Sequence, residues 1–97
     1  MPKPSEILAN NRLLISQVIQ QFNVANPRIF GSIIHKKDNE NSDLDLLVDA
    51  LPSTTLFDLG GLQCELEDLL GIKVDVKTPY DLPIQFREQV LQEAIPL

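Results

Sequence analysis

The chain has 97 residues, 43% of them hydrophobic, and a formal net charge of −6. That length suits one modest core, so residues 1–97 read as a single domain. No apolar run approaches the roughly 20 residues of a membrane span, Met1-Pro2-Lys3-Pro4-Ser5 lacks the apolar stretch and cleavage site of a secretory signal, and an acidic surface repels nucleic acid phosphates; a cytoplasmic protein without membrane association or direct nucleic acid binding is expected.

Along the chain, Pro4-Ser5 predicts a helix start, with Ser5 as N-cap and Glu6 at the positive end of the dipole. Ile7, Leu8, Leu14, Ile15, Val18, Ile19 and Phe22 recur at helical spacing, and Asn23 to Pro27 ends the helix. Arg28-Ile29-Phe30 reads as a short strand closed by Gly31-Ser32. Ile33 to Lys37 is a short helix or turn, followed by the polar loop Asp38-Asn39-Glu40-Asn41-Ser42. Asp43 to Asp49 alternates as a strand, with Leu44, Leu46 and Val48 on one face and Asp43 and Asp45 together on the other. Pro52 to Thr55 turns the chain into a second helix, Leu56 to Leu70, ended by Gly71 at C′. Cys64 lies in this apolar pattern and reads as a core or boundary residue. Ile72 to Lys77 is a third strand, with Lys73, Asp75 and Lys77 facing away from the core. A last helix covers roughly Ile84 to Ile95, with Phe86, Val90, Leu91 and Ala94 apolar. The order αβ(α)βαβα indicates an α/β (α+β) domain: a small mixed sheet of three to four strands with helices packed on it.

Three aspartates carry the chemistry. Asp43 and Asp45 are two residues apart on one strand face, about 7 Å along the strand, and Asp75 lies on the polar face of another. Two like charges about 4 Å apart at an effective dielectric near 20 repel by about 4 kcal/mol. A cation relieves that repulsion, and oxygen ligands suit Mg2+ or Mn2+, with phosphate oxygens completing the octahedron. Zinc is disfavoured, because the chain has one cysteine and one histidine. A calcium loop over Asp38 to Asp49 fails because Asp43 stands where the sharp turn needs glycine. Gly31-Ser32 follows a strand directly, where glycine allows close backbone approach to a phosphate and serine adds a hydroxyl. Either feature alone is commonly a turn or a solvated strand end.

Together they are specific. Gly31-Ser32, ten residues, then Asp43-Leu44-Asp45 in an apolar strand resembles the defining motif of the DNA polymerase β-like nucleotidyltransferase superfamily. The third carboxylate follows in Lys73-Val74-Asp75-Val76-Lys77, after the helix ending Leu69-Leu70-Gly71. Within the superfamily the chain is similar to the minimal nucleotidyltransferases, the antitoxin halves of HEPN–MNT toxin–antitoxin pairs, over nearly its whole length. One departure stands out: the family often has an arginine and a glycine soon after Gly-Ser, and here the segment is Ile33-Ile34-His35-Lys36-Lys37.

The resemblance implies the nucleotidyltransferase fold and transfer of AMP from ATP to a hydroxyl. Gly31 and Ser32 would hold the triphosphate, with Lys36 among the residues able to add positive charge. Asp43 and Asp45 would bind two metal ions, Mg2+ with Mn2+ as alternative; Asp75 would ligate one of them and help remove the acceptor's proton. Lys73 and Lys77 flank Asp75 as phosphate or partner contacts, or as surface ion pairs of little energy. The chain is filled by the nucleotide-binding core, so another protein is expected to present the acceptor: a hydroxyl, tyrosine fitting the family, on a HEPN-domain toxin. Two rivals are an antitoxin that only occludes its partner and a nucleotidyltransferase acting on a small molecule.

Overall fold

Strand alternation decides where the core lies. A computed structural model describes residues 2–97. It contains helix α1 (Pro4–Gln20), strand β1 (Val24–Phe30), a 3-10 turn (Gly31–Ile33), β2 (Leu44–Ala50), α2 (Leu56–Leu70), β3 (Val74–Lys77), a second 3-10 turn (Pro79–Asp81), α3 (Ile84–Glu93) and β4 (Ile95–Pro96). The four strands form one sheet in the order β3-β2-β1-β4. β2 and β3 are parallel, joined by α2 as crossover, and β1 is antiparallel to both β2 and β4. The sheet is mixed, as the sequence predicts. Ile29, Leu44, Leu46, Val48 and Val74 are buried on one face, where they join Ile15, Ile19, Leu62 and Leu66 of α1 and α2 in a single cluster. No helix among the described residues is long and apolar enough to cross a membrane.

Caps and turns account for most boundaries. Thr55 and Asp58 form a reciprocal capping box at the start of α2, and Gly71 ends it in the left-handed region at φ 69°. The start of α1 differs from expectation. Lys3 is the N-cap, Pro4 takes the first helical position, and Ser5 lies inside the helix. The Ser5 N–H donates instead to Asp38 Oδ2 at 2.9 Å, so a distant carboxylate supplies the acceptor that the serine hydroxyl was expected to provide. β1 is longer than Arg28 to Phe30 because it starts before an irregularity at Asn26, which has φ 50°.

Four positions expected in the core or at its boundary are corrected. Leu14 is 41% exposed. The helix kinks at Asn11, whose side chain donates to Ile7 O at 2.8 Å, and past the kink Ile15, Val18 and Ile19 face inward instead. Cys64 is exposed, since it sits two residues, more than half a turn, from buried Leu62. α3 buries no residue: Phe86 is 57% and Leu91 41% exposed. Arg87 tethers it by donating to Pro79 O at 2.8 Å and Leu82 O at 3.1 Å.

Candidate active site

Register aligns the site. Asp45 of β2 is opposite Asp75 of β3 and opposite Phe30 of β1. Cross-strand partners share a face, so Phe30, Asp45 and Asp75 form a row on the face turned away from α1 and α2. Arg28, Leu47 and Lys77 form the next row. Asp43 precedes β2 by one residue, and its charge still reaches Asp45. The three aspartates expected to work together are therefore neighbours, with Asp45 at the centre.

Their environment is strained electrostatically. The Asp45 carboxyl is pushed up from 3.8 to about 6, first by burial, then by the charges of Asp75 and Asp43; Lys77 opposes the rise. Lys77 Nζ lies 3.4 Å from Asp75 Oδ2. The remaining flanking lysine, Lys73, is exposed one residue before β3.

Gly31 closes the cluster from the β1 side. It has φ 80°, a region that L side chains rarely adopt, and a Cβ on it would collide with Asp45 Oδ2. Glycine is required here for two independent reasons. Ser32 follows in a tight turn held by Ile34 N–H to Gly31 O at 3.1 Å and Lys37 N–H to Ser32 O at 2.9 Å. Lys36 is exposed and adopts φ 55°. This is the left-handed conformation that a glycine takes without cost, which explains why glycine suits the segment after Gly-Ser and what the lysine changes. His35 points elsewhere, with Nε2 3.1 Å from Glu93 Oε2 of α3.

Among the described residues, no three His, Cys, Asp or Glu side chains are arranged to hold a metal ion by themselves. Mg2+ does not need such a cage, because it is usually held by one or two carboxylates together with substrate phosphates. A half-buried carboxylate destabilised by two others, beside a glycine turn open to phosphate, fits that kind of ion.

The sequence reading missed the surroundings of the row. α3 crosses the open face and leaves a cavity of about 330 Å3 lined by Phe30, Gly31, Phe86 and Gln89, among others. A larger one, of about 610 Å3, lies between Asp49, Thr78, Tyr80 and Leu91, toward the far end of β2. Phe30 was detectable: with Ile29 in the core, alternation sends its neighbour to the aspartate face.

Residues 6–97 match the family described as polymerase β, nucleotidyltransferase. A Methanocaldococcus jannaschii protein named as a protein adenylyltransferase is 35% identical over 81 residues, spanning 84% of this chain and 87% of that relative. The protein adenylyltransferase MntA of Thermococcus cleftensis is 33% identical over 76 residues, spanning 78% and 77%. A solved structure described as a minimal nucleotidyltransferase superposes with a TM-score of 0.83 at 40% identity, over 96% of this chain and 95% of that one. A toxin–antitoxin structure with AMP-PNP shares the fold at a TM-score of 0.74 and 20% identity, over 89% and 71%. The motif, the sheet that displays it and these likenesses agree, and the chain belongs to the polymerase β nucleotidyltransferase family.

Proposed function

We propose that this protein is an adenylyltransferase antitoxin, moving AMP from ATP to a hydroxyl of a HEPN-type toxin, tyrosine being the preferred acceptor. The observation that carries the reading is Gly31 packed against Asp45, with Asp75 in register beside it. The names of the relatives support a protein acceptor. The openness of the site supports it too, since Asp45 and Asp75 lie on a face that no core helix covers.

In this reading the Gly31 backbone and the Ser32 hydroxyl bind the triphosphate, and Lys36 adds charge from the same turn. Asp43, Asp45 and Asp75 would hold two Mg2+ ions, which neutralise the departing pyrophosphate and lower the pKa of the acceptor hydroxyl. Asp75 accepts the hydroxyl proton. A bond forms between the acceptor oxygen and the α-phosphorus, and the bond from that phosphorus to the bridging oxygen of pyrophosphate breaks. The remaining work is positioning.

The test is direct. The purified chain, labelled ATP, Mg2+ and the protein encoded beside it should yield a labelled partner, and the Asp45→Asn chain should not. Neutralisation of the partner without label, and unaffected by Asp45→Asn, would replace transfer with occlusion. Label on a small acceptor alone would make the protein a small-molecule transferase.

A further inference from the structure

The cavity of about 330 Å3 between the end of β1 and α3 shares a wall with the carboxylates. That wall is Gly31, which lines the cavity and also abuts Asp45. A ligand with phosphates on the Gly31–Ser32 turn has the cavity as its immediate neighbour. The volume falls at the small end of ligand sites, roughly 300–1,000 Å3. Phe30, Phe86 and Val90 make it aromatic and aliphatic, suited to a flat ring.

The rim adds a reading group. Gln89 Nε2 donates to Glu93 Oε1 at 3.2 Å, and Glu93 Oε2 lies 3.1 Å from His35 Nε2. The His35 backbone N–H in turn donates to Gly31 O at 3.4 Å. Glu93 and His35 thus tie Gln89 to the phosphate turn. A glutamine amide has two N–H donors and a carbonyl, so one donor and the acceptor remain for a ligand. That pair matches N7 and the exocyclic amine of adenine. Hypoxanthine and guanine set a carbonyl against the glutamine carbonyl.

Resting on the nucleotide-binding reading above, we propose that this cavity is the base pocket, in which Phe30 and Phe86 flank the ring and Gln89 selects adenine. The experiment is calorimetric titration of the intact chain with Mg2+ and, separately, ATP, ITP and inorganic tripolyphosphate. Phe86→Ala should weaken ATP about tenfold and leave tripolyphosphate unchanged, which also shows that the variant is folded. The wild type should favour ATP over ITP about tenfold, and Gln89→Leu should erase that preference. Unchanged ATP affinity in Phe86→Ala, with tripolyphosphate still bound, overturns the base pocket and spares the nucleotide site. If Phe86→Ala lowers only transfer to the partner, the cavity belongs to the acceptor and the proposal is equally overturned. Failure of the wild type to bind either ATP or tripolyphosphate removes both readings.

Discussion

On the face toward α1 and α2, β2 presents Leu44, Leu46 and Val48, all fully buried. On the other face the same strand presents Asp45 and Asp49 beside Asp75, Arg28 and Lys77. One face gains about 1.5–3 kcal/mol for each aliphatic side chain it removes from water. The other holds Asp45, whose pKa is raised by burial and then by repulsion from Asp75 and Asp43. The exception is Leu47, buried on the charged side where the turn after β3 packs against β2. Odd and even residues of a single strand thus divide the core from the carboxylate row, and a core able to carry the repulsion lies one residue away from it.

Asp45→Asn separates the two faces most sharply. Transfer should fall a hundred- to a thousandfold, about 3–4 kcal/mol of barrier, in a labelled-ATP assay. Stability should move the other way. A carboxyl at 3.8 in the unfolded chain and about 6 in the folded one favours folding below the lower value. That contribution is lost as pH rises through 6. The variant should therefore be more stable than the wild type at pH 7–8, by about 1–2 kcal/mol after discounting for solvent screening, and should lose the fall in stability between pH 4 and 6. Equal stabilities at pH 8 would mean that neither burial nor the neighbouring carboxylates disfavour the Asp45 charge.

Leu46→Ala breaks the opposite face. It should cost about 2–5 kcal/mol in denaturant unfolding, while the folded fraction keeps its nucleotide affinity. A loss of affinity in the folded fraction would show that the faces are coupled. Lys36→Gly should raise stability by about 0.5–1 kcal/mol by relieving the left-handed lysine, and should weaken ATP if that lysine touches phosphate. The smallest effect belongs to Asp49, whose carboxyl the Asn26 amide and Arg28 hold low. Its contribution is present above pH 4 and disappears as pH falls through the lowered value. Asp49→Asn should cost less than about 1 kcal/mol at pH 7, and less still as pH falls through the lowered value.

Local signals were legible. Gly71, the turn from Pro52 to Thr55, and the alternation through Leu44 to Val48 act within a few residues, and the observed elements follow them. The neighbourhood of Asp45 and Asp75 was also readable, since two alternating strands around one helix invite parallel pairing. Long-range dependencies were not. Asp38 replaces Ser5 as acceptor across 33 residues of chain. Leu14 depends on a kink, and the apolar pattern of α3 suggests a core helix although it covers only an open face. Periodicity reports that a stripe exists, not what meets it. The pocket beside Phe30 needs α3 in place and has no sequence signature of its own.

The parallel register of β2 and β3 makes α2 a ruler. Asp45 and Asp75 stand side by side only because the crossover between them, capped by Thr55 and stopped by Gly71, delivers β3 at one phase. One residue inserted between Gly71 and Val74 would turn Asp75 toward the oil and bring a valine to its place. Length variation is therefore barred from that short link, whereas the polar stretch from Asp38 to Ser42, outside any strand, can absorb it without disturbing the spacing of the acids.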